Sequence, residues 1–283
     1  MVTSIALLIV GFAGGFLGSE VGAGSMITLP ALFFLGLSPA TAVATNILSA
    51  WSINAVAAFE YWKNKKIQYD IIFHLAPLAF VGAILGSRLI TQIDAQKASS
   101  IVAVLFAVVF LLIFIVFRKG MAGLQAGSHR YSHLRKFMAA GGAFILGVYG
   151  GFFSVGVTTL FIALFVVLLR RSLVEAAADA VTISAVFLTG SMVEFAAGNI
   201  INYNLAIPLA IGSVIGAYIG SRVALKFGNH WLRGLVMAMV ILVVIKLGYS
   251  AFLSTQPDCE ATETCPAPSA AAATQTISAN KNY

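Results

Sequence analysis

Two short segments interrupt long apolar runs in this 283-residue chain, and they carry its most chemically useful atoms. In the first, Gly18-Ser19-Glu20-Val21-Gly22-Ala23-Gly24-Ser25 separates apolar residues 3–17 from 26–35. In the second, Ser154-Val155-Gly156-Val157-Thr158-Thr159 separates 137–153 from 160–169. Glycine lets a chain turn where a side chain would clash, and so leaves backbone N–H groups unpaired. A helix that starts just after the break aims those N–H groups and its positive dipole end at one point, which suits an anion. Backbone nests bind oxyanions in the same way. Gly22, Gly24, Ser25, Gly156, Thr158 and Thr159 are the first candidate binding residues. The same glycines would also permit close helix packing, and the sequence leaves both readings open.

Further polar residues sit in apolar surroundings. Thr45, Asn46 and Ser49 lie about a turn apart, where Thr45 and Asn46 could donate to a ligand or simply bond to a neighbouring helix. Acids inside a membrane are costly and often functional. Glu20 and Asp179 flank the predicted site and are candidates for carrying a coupling proton, whereas Glu60 and Glu194 read as interfacial. Arg88 and Arg222 either snorkel to the interface or form a vestibule that attracts an anion. His74 reads as an interhelical hydrogen-bonding residue. His129 and His133 stand without other ligand types, so no metal is expected. No cofactor is expected either, and no G-x-x-x-x-G-K-[ST] signature is present.

The elements that must position these residues occur twice. Glu60 matches Glu194, Ile67 matches Ile201 and Tyr69 matches Tyr203, each 134 positions on. Gly82-Ala83-x-x-Gly86-Ser87-Arg88 returns as Gly216-Ala217-x-x-Gly220-Ser221-Arg222. Before the second break the match places Gly11 near Gly147, with a two-residue deletion after Ser154. Composition gives the setting: 60% hydrophobic, 10% charged, mean hydropathy +0.96. Apolar stretches of about 20 residues recur, the length that crosses a hydrocarbon core. The chain is therefore expected to be an all-α, polytopic membrane protein. The first apolar stretch lacks a basic n-region and a small-residue cleavage site, so it reads as mature structure. Ser38-Pro39 and Ser172-x-x-Glu175 mark helix starts. Further spans are expected over 70–89, 98–117, 204–225 and 232–253.

Basic residues cluster in loops. Lys63, Lys65 and Lys66, the connector with Arg118, Lys119, Arg130, Arg135 and Lys136, and Arg170-Arg171 all read as cytoplasmic, while the uncharged 36–39 and 198–202 turns fall outside. This is consistent only if each Gly-rich hairpin enters and leaves on one side. Each half then has three spans and one broken or re-entrant hairpin, the second half is inverted, and both termini lie outside. Inverted repeats with broken helices are a recurring transporter plan, with the site where the copies meet. The divisions are 1–118 for the first repeat, 119–135 for the connector, 136–253 for the second repeat and 254–283 for a disordered tail. That tail holds both cysteines, Cys259 and Cys265, which could pair only in an oxidising compartment.

The run Gly14–Gly24 with Pro30, Leu35-Gly36-Leu37-Ser38-Pro39 and Ala42-Val43-Ala44-Thr45, together with the doubled Gly-Ala-x-x-Gly-Ser-Arg pattern, resembles the TauE/SafE family over roughly residues 5–253. The resemblance implies a membrane permease for an anion, with sulfite or an organosulfonate as the default, the expected partners being that anion and the lipid bilayer of the cell membrane. The second copy departs from the pattern: Gly22-Ala23-Gly24 becomes Gly156-Val157-Thr158, and nothing matches Pro30. Competing classes are a permease for a carboxylate, an integral membrane enzyme acting on lipid-like substrates, and a structural subunit. An enzyme would need a clustered nucleophile or metal set, and no such spacing is recognisable. Nucleic acid is not an expected partner, because no basic, aromatic-interleaved soluble segment exists.

Overall fold

The computed structural model describes residues 2–94, 97–98, 101, 104–105 and 133–227. The expected spans at 98–117 and 232–253, most of the basic connector, His129, and the tail with Cys259 and Cys265 lie largely or wholly outside the described residues. Within them the longer elements are all helices: α1 (Val2–Val21), α2 (Ser25–Phe34), α3 (Pro39–Lys63), α4 (Tyr69–Gln92), α5 (His133–Phe152), α6 (Val157–Leu169), α7 (Leu173–Ala197) and α8 (Tyr203–Phe227). Five of these, α1, α3, α4, α7 and α8, are long and apolar enough to cross a membrane. Helices α2 and α6, with 10 and 13 residues, rise only about 15–20 Å and fall short of a full span.

Local chemistry explains the boundaries. The Ser38 hydroxyl accepts from the Thr41 N–H and Pro39 takes the first helical position, so α3 starts there. Ser172 and Glu175 form the reciprocal capping box that opens α7. Both breaks are shorter than expected, and α6 already begins at Val157, so the second narrows to 153–156. Helix α1 continues through Gly18, Ser19 and Glu20 to Val21, so the first break narrows to Gly22–Gly24. Small residues there suit helix packing better than an early turn. Gly22 ends the helix in the left-handed region, φ +75°, with its N–H bonded to the Gly18 carbonyl.

Each short helix folds back along the one before it. Gly18 abuts Gly24 while Gly14 abuts Thr28, so α2 runs antiparallel to α1. Gly150 meets Val157 while Gly142 meets Leu164, so α6 does the same along α5.

The long helices pair crosswise. Helix α1 packs on α8, with Gly11 and Gly15 against the backbone of Leu209 and Ser213, and Gly216 against Phe12. Helix α5 packs on α4, with Gly147 and Gly151 against Ala79 and Ala83, and Gly82 against Phe144. Backbones approach this closely only through residues without bulk, so these contacts report the register. Gly15–Ser213 and Gly147–Ala79 are equivalent contacts, as are Phe12–Gly216 and Phe144–Gly82. In each case the α8 and α4 residues stand 134 apart, but those of α1 and α5 stand 132 apart. Gly15 therefore corresponds to Gly147, and Gly11 does not. Between these contacts and the starts of α3 and α7, where the offset is 134, the second copy is two residues longer than the first, which corrects the deletion expected after Ser154.

Outward faces are apolar. Phe73 and Val81 on α4 and Ile211 on α8 are 75%, 52% and 51% exposed. An exposed apolar band of this kind is a liability in water and the normal surface in lipid.

Candidate functional site

The two hairpin tips touch. A methyl group added at Gly22 would lie 2.5 Å from the Thr159 nitrogen and 2.7 Å from the Thr158 Cβ. Beside this contact is a narrow, partly open cavity, about 270 Å³ when the solvent-filled space at its mouth is counted in. Gly22, Gly24 and Ser25 of the first tip and Ser154, Val157 and Thr158 of the second line it, with Asn54 of α3 and Leu188 of α7. The wall thus includes the first turns of both short helices, and neither start is capped by a side chain. At such a terminus the leading N–H groups lack the usual partner four residues back; in α2 those of Met26 and Ile27 bond instead to the Ala23 and Gly24 carbonyls.

The second tip is bent by two left-handed residues, Ser154 at φ +62° and Gly156 at φ +66°. For glycine this conformation is easy; for serine it is strained. The Tyr149 hydroxyl donates to the Val155 carbonyl and braces the turn. Ser154 is 3% exposed, and its hydroxyl is buried without a hydrogen-bond partner. Strain together with an unsatisfied donor on a cavity wall is the pattern that binding sites show. Thr158 lies 3.0 Å from the Ser184 hydroxyl and 3.3 Å from the Asn54 carbonyl oxygen, while the Asn54 amide donates to the Ala50 carbonyl at 2.8 Å.

Of the residues expected from sequence, Gly22, Gly24, Ser25 and Thr158 line the cavity, Thr159 abuts Gly22, and Gly156 forms the turn. Ser154 and Asn54 were not anticipated. A polar residue in the middle of apolar α3 was the available signal for Asn54; nothing in the sequence announces the backbone angle of Ser154.

The other expected residues are occupied elsewhere. Thr45 accepts a bond from the Asn202 N–H at 3.1 Å, and Asp179, 134 positions on, accepts one from the Gln68 N–H at 2.8 Å. Each side chain secures the start of a helix in the opposite half, α8 or α4. Asn46 accepts from the Thr28 hydroxyl at 2.6 Å, and its buried amide nitrogen has no partner, but the residue is not on the cavity wall. Ser49 and Ser213 share a hydrogen bond at 2.6 Å. Glu20 is fully buried at the end of α1. Arg88 and Arg222 are ion-paired, with each arginine side chain still more than half exposed. Arg88 bonds Glu194 at 2.8 Å and Arg222 bonds Glu60 at 3.3 Å. The duplicated arginines therefore pair with the duplicated acids, each across the halves.

Comparison with known proteins decides the family. The family model described as "Sulfite exporter TauE/SafE" matches residues 7–247. The chain belongs to the TauE/SafE family. Similar proteins include the probable membrane transporter protein YfcA of Escherichia coli K12, 28% identical over 246 residues, 87% of this chain and 89% of the relative. A probable membrane transporter protein of Haemophilus influenzae is 27% identical over 243 residues, 86% and 93% of the two chains. YjnA of Bacillus subtilis, also named a probable membrane transporter protein, is 23% identical over 254 residues, 85% and 97%. No solved structure matches significantly. This TauE/SafE protein is thus a multi-pass integral membrane protein of a transporter family.

In this TauE/SafE protein Asp179 is bonded to Arg171 at 3.1 Å, and both are buried. Removing one partner of a buried pair strands the other's charge. Asp179→Asn is expected to destabilise the protein by roughly 3–5 kcal/mol, seen as a lower unfolding midpoint in detergent. Equal unfolding midpoints for the wild type and Asp179→Asn would overturn this reading of the pair.

Proposed function

We propose that this chain is a secondary transporter of small anions, with its substrate site in the cavity between the hairpin tips. One observation carries the reading: two uncapped helix starts and the buried, unpartnered Ser154 hydroxyl share that cavity. Helix starts offer partial positive charge and fixed donors, the means by which proteins hold oxyanions without a permanent cation. A sulfur oxyanion, sulfite or an organosulfonate, is the first substrate class, in keeping with the family's description as sulfite exporters. Gly22, Gly24, Ser25, Gly156, Thr158 and Thr159, joined by Ser154 and Asn54, form the binding set.

The two halves act as inverted repeats in a cell membrane, with both termini outside. Crosswise packing of α1 on α8 and of α5 on α4, with the reciprocal Arg88–Glu194 and Arg222–Glu60 pairs, supports that arrangement. Alternating access follows if one half rocks against the other around the tips. Purified protein in proteoliposomes is expected to move labelled sulfite or methanesulfonate faster than empty vesicles do. Equal rates for every sulfur oxyanion and carboxylate tried would defeat the transport reading.

A further inference from the structure

We propose that the tip cavity selects singly charged oxyanions, hydrogensulfite rather than the sulfite dianion among them, and rejects doubly charged ones of the same shape. This rests on the reading of that cavity as the substrate site.

The inference comes from counting the charge available to a ligand. The starts of α2 and α6 each act as roughly half a positive charge, so together they offset about one negative charge. The remaining polar groups on the wall are neutral: the hydroxyls of Ser25, Ser154 and Thr158 and the amide of Asn54. Among the described residues no cationic side chain lines the cavity. Three arginines are paired with acids, the buried Arg171 with Asp179 and the more exposed Arg88 and Arg222 with Glu194 and Glu60. The nearest ionisable residue along the chain, Glu20, is an acid, fully buried two positions before Gly22.

The helix starts do not stand alone as a sign of a ligand. Ser154 is 3% exposed and its hydroxyl has no partner in the protein, so it is a donor held ready at the wall. A single negative charge would be matched by the two dipoles and this donor. A second charge would enter a low-dielectric interior without compensation, at a cost that neutral hydroxyls do not recover. The same absence of a bidentate guanidinium keeps the bound monoanion releasable, as transport requires.

The test compares anions of matched shape at a single neutral pH, using the full chain in proteoliposomes and in detergent. Methanesulfonate and sulfate are both tetrahedral at sulfur and differ by one charge; methyl sulfate and thiosulfate provide a second monoanion and dianion. Methanesulfonate and methyl sulfate are expected to raise the unfolding temperature and to enter vesicles. Sulfate and thiosulfate are expected to compete with methanesulfonate uptake about tenfold or more weakly, the difference made by roughly 1.4 kcal/mol. If sulfate competes as well as methanesulfonate, or is carried in its place, charge selection is refuted while anion transport stands. If neither monoanion binds or moves, both the selection and the assignment of this cavity as an oxyanion site fall.

Discussion

Gly22→Ala is expected to abolish transport and lower the unfolding temperature, whereas Gly36→Ala is expected to leave transport intact. The two glycines share nearly the same backbone, φ +75° and φ +78°. Alanine is strained in this left-handed region by about 1–2 kcal/mol at either position. Their surroundings differ completely. Nothing lies within 4 Å of a methyl group added at Gly36, but at Gly22 it would meet the Thr159 nitrogen at 2.5 Å and the Thr158 backbone carbon at 2.8 Å. Those are backbone atoms of the opposite hairpin and cannot step aside as a flexible side chain would. Forcing bulk into such a contact adds roughly 1–3 kcal/mol and pushes the tips apart. The gap between the two variants, in uptake and in thermal unfolding, isolates the tip contact from backbone strain. Wild-type transport by Gly22→Ala would mean that the tips need not touch for function.

Ser154→Gly is expected to weaken substrate binding by about 10- to 150-fold, the equivalent of losing one hydrogen bond to a charged group, roughly 1.5–3 kcal/mol. Stability should not fall and should rise by up to about 2.5 kcal/mol. Glycine relieves the strain of a left-handed serine, about 1–3 kcal/mol, and gives back part of that through the greater freedom of the unfolded chain, about 0.4–1 kcal/mol. Ser154→Ala separates the two effects, because it removes the same hydroxyl and keeps the strained backbone. Both variants should bind methanesulfonate weakly in a thermal-shift titration, and only the alanine variant should lack the relief of strain. Tight binding by Ser154→Gly would show that the hydroxyl does not touch the substrate.

What the sequence revealed, and what it hid, follows from the range of each interaction. The starts of α3 and α7 were legible because Ser38-Pro39 and Ser172-x-x-Glu175 act within one turn. The glycines of the tips were legible because a break in an apolar run is itself a local signal. The partners of Arg88 and Arg222 were not, since Glu194 and Glu60 lie far away in the chain. Both ends of each pair were visible as duplicated residues, yet duplication does not say that partners are exchanged. Thr45 and Asn46 were read either as ligand donors or as interhelical hydrogen-bonding residues because they are polar residues in an apolar helix. Asn54, about two turns further along α3, is the residue that reaches the cavity, and helical periodicity cannot say which end of α3 approaches the tips. The register between the halves was misread by four positions for a related reason: several glycines of α1 match several of α5, and only their contacts with α8 and α4 choose among them.

The crosswise pairing of helices has a consequence for how the chain is made. Gly11 and Gly15 on α1 rest on Leu209 and Ser213, which are synthesised 198 residues later. At about 5–20 residues per second, α1 waits roughly 10–40 s in the bilayer before its partner exists. Through that interval its small-residue groove faces lipid or another chain, and α4 waits likewise for α5. Insertion of each helix and completion of the molecule are therefore separate events in time, and the first half depends on the ribosome finishing the second.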